Sequence, residues 1–251
     1  MKKILGFIIS LVIIIGLSIY LFNIQRYDEE KGYVTADMLR FKYEYESLNG
    51  LYNASGTRML KSISIPEFNL IRYASVDEIL EIARNGTGLI YFGFPQCPWC
   101  RQMTPLLIDV ALDMGIDVIY YIDMTTVRTT WELQEGIPVM TDSGHPRYQE
   151  LLEVFESVII DLPLNPFHLT DLDGNRISTN ELRIFVPTVV AIRNGEIVGS
   201  HVYTVDSSMP GNPYGNQWNP LTDEEESKLR GIYASLIRAL NKPNVCMETS
   251  C

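Results

Sequence analysis

The sequence predicts an α/β fold in which helices flank a central mixed sheet. Residues 88–94 and, apart from Asp117, residues 116–122 are apolar on both faces, which is typical of strands buried in a parallel sheet. Helical patterns alternate with these runs, so the first half of the domain reads β-α-β-α-β. Residues 188–192 and 196–202 flank the turn Asn194-Gly195, a pattern that predicts a β-hairpin. A closing helix follows this hairpin.

Each predicted helix has its own boundary signals. Ser75 begins the first, with Glu78 three residues later completing a capping box. The second begins at Cys97 and ends before Gly115, and the last begins at Thr222. Between residues 123 and 180 the pattern is less regular, and we interpret this stretch as an insertion.

The N-terminus predicts a membrane anchor. Residues 4–22 are uncharged and mostly apolar, long enough as a helix to cross about 30 Å of hydrocarbon. A cleaved signal peptide is the alternative, but it has a shorter apolar core and a small-residue cleavage site. Lys2 and Lys3 precede the run and acids follow it, so we expect the N-terminus inside and the rest outside the cell membrane.

These features divide the chain into four parts. We expect a cytoplasmic stub and transmembrane anchor at 1–26, and a stalk at 27–58. A single α/β domain follows at 59–240, including the insertion at 123–180, and the tail is 241–251. With four cysteines, all far from the anchor, the chain fits an oxidising, extracytoplasmic compartment.

The charge balance excludes one class of partner. The chain has 31 acidic and 20 basic residues, a formal net charge of −11. An acidic surface repels nucleic acid and anionic lipid headgroups. We therefore expect no nucleic-acid partner, and a membrane association that depends on the N-terminal helix.

The sequence Cys97-Pro98-Trp99-Cys100 carries the chemistry. It lies where an apolar strand gives way to a helix, and two thiols at this spacing can close a disulfide reversibly. Unpaired backbone N–H groups and the helix dipole at this position favour an anion, here the thiolate of Cys97. Proline is favoured at the first helical position, which fits Pro98.

This motif, the preceding Tyr91-Phe92-Gly93-Phe94-Pro95-Gln96 and the later Val186-Pro187-Thr188 together resemble the thioredoxin superfamily. The overall sequence pattern resembles that of the membrane-anchored thioredoxin-like proteins of Gram-positive bacteria, some of them named bacteriocin transport accessory proteins. The resemblance implies a thioredoxin fold and a cis bond before Pro187, facing the active-site cysteines. The chain departs from thioredoxins at Tyr91, where they have a buried aspartate, so that residue's proton-relay role cannot be carried over.

The resemblance also implies a function, that of a membrane-anchored extracytoplasmic thiol–disulfide oxidoreductase without a cofactor. Cys97 would be the attacking thiolate, exposed at the helix tip, and Cys100 the buried resolving thiol. Its partners would be cysteine-containing secreted or surface proteins and a membrane or extracytoplasmic redox protein. The substrate-binding surface would consist of four residues: Pro98, Trp99, Val186 and Pro187. The alternatives are an accessory, chaperone-like module of a peptide export system, with incidental redox activity, and a redox-silent scaffold.

Other roles for the cysteines are weaker. A permanent Cys97–Cys100 disulfide would be strained and labile, as catalytic bridges are. A zinc site would need the distant, loosely spaced Cys246 and Cys251, so we expect no metal. That tail pair fits a local disulfide or an accessory thiol pair that exchanges electrons with the active site.

Overall fold

The computed structural model describes residues 33–205 and 218–241. Its elements in chain order are α1 (Ala36–Glu46), β1 (Ile71–Tyr73), α2 (Val76–Asn85), β2 (Gly88–Gly93), α3 (Pro98–Asp113), β3 (Ile119–Asp123), β4 (Thr130–Gln134), β5 (Ile137–Asp142), α4 (Tyr148–Val154), α5 (Glu156–Ile159), β6 (His168–Thr170), β7 (Arg176–Ser178), β8 (Thr188–Arg193), β9 (Glu196–Val202) and α6 (Asp223–Leu240).

The protein is an α/β structure with a mixed sheet, as the sequence predicts. The order in the five-stranded sheet is β1-β3-β2-β8-β9, with β1, β3 and β2 parallel and β8 and β9 antiparallel to their neighbours. Parallel neighbours require crossover connections, and α2 and α3 supply them. Every residue of β2 is buried, which is why the strand is apolar on both faces.

The predicted helix starts are confirmed by their hydrogen bonds. Ser75 and Glu78 form a complete capping box at the start of α2, and Thr222 and Glu225 form another at the start of α6. In each, the hydroxyl accepts from the acid's backbone N–H while the carboxylate accepts from the cap's own N–H. At the start of each of these two helices, two backbone N–H groups that would otherwise be unpaired are hydrogen-bonded.

The segment predicted as a stalk contains part of the core, so that boundary differs from the prediction. Phe41 and Tyr45 of α1 are fully buried, and their rings contact Tyr121 of β3 at centroid distances of 4.9 and 6.5 Å. The described residues from Asp37 onward belong to one compact unit. The reason is the spacing of Met38, Phe41 and Tyr45, which places one apolar stripe along the helix.

The predicted insertion at residues 123–180 has secondary structure of its own. The hairpin β4–β5 and the hairpin β6–β7 lie on either side of the short helices α4 and α5. Phe155 separates the two short helices, as the C-cap of α4 and the N-cap of α5. The Asp171-to-Asn175 turn that joins β6 to β7 is held by backbone N–H groups donating to the Asp171 carboxylate.

The sheet register determines where the functional site lies. The α3 helix follows the carboxyl end of β2 directly, and the start of β8 pairs with that same end, Thr188 opposite Phe92. The segment before β8 therefore lies beside the loop that leads into α3. Residues 4–22, the predicted anchor, lie outside the described residues; within the described part, no helix is long and apolar enough to span a membrane.

Candidate active site

Cys97 is the N-cap of α3. Its sulfur accepts a hydrogen bond from the backbone N–H of Cys100 at 3.2 Å, in the way that serine or aspartate side chains cap other helices. Pro98 occupies the first helical position, where its missing N–H costs no hydrogen bond. The geometry gives the Cys97 sulfur one direct backbone donor at the positive end of a helix.

The second side of the site is the segment before β8. The Val186–Pro187 peptide bond is cis, as the resemblance implied. The thiol of Cys97 donates to the carbonyl oxygen of Val186 at a sulfur–oxygen distance of 3.7 Å. The hydroxyl of Thr188 donates to the Phe185 carbonyl at 2.6 Å, across the same turn. The structure thus brings together Cys97, Cys100, Val186 and Pro187 from two distant parts of the chain.

The expected exposure of Cys97 is wrong. The residue is only 3% exposed, and Cys100 is fully buried; both are free thiols. The cause is that the Cys97 sulfur turns inward, between the N–H of Cys100 and the carbonyl of Val186, rather than outward from the helix tip. A partner's disulfide can reach this sulfur only if neighbouring atoms move.

Pro98 and Trp99 are the partly exposed residues of the motif, whereas Val186 and Pro187 are buried. The Trp99 ring packs against Tyr203, with ring centroids 5.4 Å apart and planes tilted by 56°. This contact holds the indole beside the active-site helix. The predicted substrate-binding role of these four residues stays a prediction.

Burial sets the chemistry of Cys100. Loss of solvent raises the pKa of its thiol well above the ordinary value, and the neighbouring Cys97 sulfur raises it further. The backbone of Phe94 and the side chain of Tyr91 oppose this change and lower the pKa. Cys100 therefore keeps its proton in the resting dithiol.

A chain of hydroxyl groups beside Cys100 was not foreseen. The hydroxyl of Tyr91 lies 3.0 Å from that of Thr104 and 2.9 Å from that of Tyr45. Thr104 in turn donates to the Cys100 carbonyl at 2.7 Å. The sequence contains one signal for this arrangement: Thr104 lies four residues after Cys100 and therefore on the same helix face. The contact between Tyr45 and Tyr91 has no local sequence signal.

Arg101, the residue after Cys100, is fully buried. Its guanidinium donates to the carbonyl oxygens of Lys61, Tyr45 and Pro95 and to the side chain of Asn49, at 2.6 to 3.2 Å. Burial lowers the pKa of this side chain. Because these acceptors lie on the active-site loop, on α1 and on the loops after α1, Arg101 ties the three together.

The remaining candidate ligands form no site in the described part of the chain. Among residues 33–205 and 218–241, no group of His, Cys, Asp and Glu side chains is arranged to hold a metal ion. The tail cysteines, Cys246 and Cys251, lie outside these ranges. In comparisons with known proteins, the sequence matches no protein-family model and no curated protein at a significant level.

Proposed function

We propose that this protein is a thiol–disulfide oxidoreductase with a thioredoxin fold. The observation that carries the proposal is the position of the Cys97 sulfur, between the backbone N–H of Cys100 and the carbonyl that precedes the cis proline. A thiolate at this position gains a hydrogen bond from the Cys100 N–H and the favourable field of the helix. The proposed reaction requires one reactive sulfur, that of Cys97, and one protected sulfur, that of Cys100.

The sheet order supports the proposed fold. A parallel β1-β3-β2 unit continues into an antiparallel hairpin, with the dithiol at the carboxyl end of β2 and a cis proline beside it. The resemblance noted in the sequence implies this same arrangement. The helix α1 and the insertion with its two hairpins would then be additions to that fold.

The proposed reaction is a two-electron exchange. The Cys97 thiolate attacks one sulfur of a substrate disulfide, the substrate S–S bond breaks, and the departing sulfur takes up a proton. Cys100 then loses its proton, attacks Cys97 and releases the second substrate sulfur as a thiol. The substrate disulfide is reduced while the Cys97–Cys100 pair is oxidised; run in reverse, the same steps oxidise a substrate dithiol.

The cellular setting is part of the proposal. We expect the anchor at residues 1–26 to hold the domain outside the cell membrane, where its substrates are cysteine-containing secreted or surface proteins. A second membrane or extracytoplasmic protein with a redox-active cysteine pair restores the starting state. The acidic composition supports protein partners rather than nucleic acid.

The test uses the purified full-length chain in buffers of reduced and oxidised glutathione. We expect Cys97 and Cys100 to interconvert between dithiol and disulfide as one two-electron couple. Alkylation and mass spectrometry measure the fraction of the chain in each state. Cys97→Ser should abolish exchange, and Cys100→Ser should accumulate a glutathione adduct on Cys97. If both thiols stay reduced in every buffer, or if no adduct forms on Cys97, the proposal is wrong.

A second function is favoured by the burial of Cys97. Pro98 and Trp99 are more accessible than the sulfur, which suits a surface that binds peptide segments, as in an accessory module for peptide export. Cells that carry Cys97→Ser distinguish the two functions. Loss of the cellular role indicates the oxidoreductase, and full retention indicates the binding module.

A further inference from the structure

The loop that follows β3 lies beside the active-site loop. The parallel pairing of β2 and β3 ends with Gly93 opposite Asp123, and the N–H of Met124 donates to the Gly93 carbonyl at 3.0 Å. The carboxyl ends of the two strands therefore lead into neighbouring loops, residues 94–97 and 124–129. Ligands of open α/β sheets bind at this edge, outside the carboxyl ends of the strands.

Arg128 connects the two loops. Its guanidinium lies over the ring of Phe94, 4.8 Å from the ring centroid, and both side chains are partly exposed. The carbonyl oxygen of Phe94 accepts a hydrogen bond from the N–H of Cys97 at 3.2 Å. One residue, Phe94, thus lies between Arg128 and the proposed attacking cysteine. A guanidinium stacked on a ring still presents its N–H groups at the edge, where they fit a carboxylate.

Arg128 has no carboxylate partner in the part of the chain that the structure describes. The ion pairs found there all involve other cations. The acids of the adjoining segments, Asp123 and Glu181, accept hydrogen bonds from other groups. A second cation is close, since burial and the charge of Arg128 lower the pKa of Arg183 to about 10. Two cations that repel each other favour a bound anion.

The backbone on either side of Arg128 is held in place. The carbonyl oxygens of the preceding and following residues accept hydrogen bonds from the N–H of His145 at 2.9 Å and from the Arg183 guanidinium at 2.6 Å. Gly144 packs so closely on this segment that a Cβ atom there would come within 2.7 Å of the Arg128 carbonyl oxygen. A cation on a backbone already fixed in this way loses less freedom when it binds a partner.

We propose that Arg128 binds a carboxylate of the substrate protein, from an aspartate or glutamate close to the cysteine that Cys97 attacks. The substrates are then secreted or surface proteins with acidic residues beside the reacting disulfide. The inference rests on the proposed function, since it concerns the same site. The net charge of −11 opposes an acidic partner at long range. Salt screens exposed charges beyond about 8 Å at physiological ionic strength, so we expect the local contact with Arg128 to decide.

The experiment compares three peptide substrates. Each is a dimer linked by one disulfide, and the three differ only in the residues flanking the cysteine, which are glutamate, glutamine or lysine. The full-length chain carries Cys246→Ser and Cys251→Ser, so that only the active-site pair reacts. The reduced chain is mixed with each peptide at pH 7 and low salt, and acid quenching followed by chromatography gives the rate of peptide reduction. The parent is compared with Arg128→Gln and Arg128→Lys.

Arg238→Gln is the matched control, because it removes the same charge from the other edge of the sheet. Arg238 is exposed in the last turn of α6. The next residue, Ala239, accepts a hydrogen bond from Arg193, at the end of β8 remote from the cis proline. This variant reports the effect of net charge alone.

The parent should reduce the glutamate peptide about two- to fivefold faster than the glutamine peptide, the range expected for a partly exposed ion pair, and the lysine peptide slowest. Added salt should diminish the preference. Arg128→Gln should remove it and leave the rate with the glutamine peptide unchanged, and Arg128→Lys should retain part of it.

Three outcomes would overturn the inference and leave the oxidoreductase intact. These are equal rates for the three peptides in the parent, an equal slowing of all three in Arg128→Gln, and the same loss of preference in Arg238→Gln. A parent chain that reduces none of the peptides contradicts the proposed function, and this inference with it.

Discussion

At the scale of single residues, both cysteines are buried, but their surroundings differ. Cys97 is 3% exposed and its neighbours Pro98 and Trp99 are partly exposed, so we expect a partner to reach its sulfur when these two residues move. Cys100 is fully buried, and burial raises the pKa of its thiol. Reactivity of a thiol requires both access and ionisation. The pair is therefore asymmetric, as an attacking and a resolving thiol need to be.

This asymmetry predicts the order of alkylation. In a brief treatment of the folded, reduced chain with iodoacetamide at pH 7, we expect Cys97 to be modified at least about ten times faster than Cys100. Peptide mass spectrometry measures the fraction modified at each position. In denaturant, where both thiols are exposed, the two rates should become similar. Equal protection of both cysteines in the folded chain would contradict the assignment of Cys97 as the attacking sulfur.

Some features of the site could be predicted from the sequence because they are local. The spacing of Cys97 and Cys100 and the proline at the first helical position specify a helix start, and the structure has one there. The cis bond before Pro187 was implied by the resemblance to the thioredoxin superfamily. The inward turn of the Cys97 sulfur and the hydroxyl chain could not be predicted. Both depend on contacts with Val186 and Tyr45, which are remote in sequence.

At the scale of elements, α1 is the main addition to the predicted fold. Phe41 is fully buried against the rings of Tyr45, Tyr73 and Tyr121, at centroid distances of 4.4 to 6.5 Å. This helix has only a weak signal in the sequence, because the exposed Tyr43 lies between the buried positions and interrupts the apolar stripe. The sheet strands were easier to predict, since burial of both faces leaves an uninterrupted apolar run.

The stability of the chain tests whether α1 belongs to the core. We expect Phe41→Ala to lower the free energy of unfolding by about 3–5 kcal/mol, because it removes a buried ring and leaves a cavity. Tyr43→Ala is the control on the same helix; that side chain is 74% exposed, and its loss should cost less than about 0.5 kcal/mol. Urea unfolding of the full-length variants measures both. Equal unfolding midpoints would mean that α1 is a detachable stalk after all.

At the scale of the whole molecule, an ionic cluster joins the predicted insertion to helix α2. Glu150 of α4 accepts from Arg147 at 2.6 and 2.9 Å and also from Arg84 of α2, while Arg147 reaches Asp77 of α2. The helices α2 and α4 also pack directly. Single exposed ion pairs contribute little, but four charges that share partners across two helices restrict how the insertion can move.

The pH dependence of stability reports on this cluster. Hydrogen bonds from Arg147 and Arg84 lower the pKa of Glu150 from 4.5 to about 2. A carboxylate whose pKa is lower in the folded state stabilises the fold above its unfolded pKa, and this contribution is lost as the pH falls from 4.5 towards 2. Glu150→Gln should therefore lower the melting temperature at pH 7, with a difference from the parent that shrinks below pH 4.5. Glu153→Gln, an exposed position on the same helix, should show no such trend. A Glu150→Gln difference that stays constant between pH 7 and pH 3 would mean that packing, and not the charge on Glu150, holds the insertion against α2.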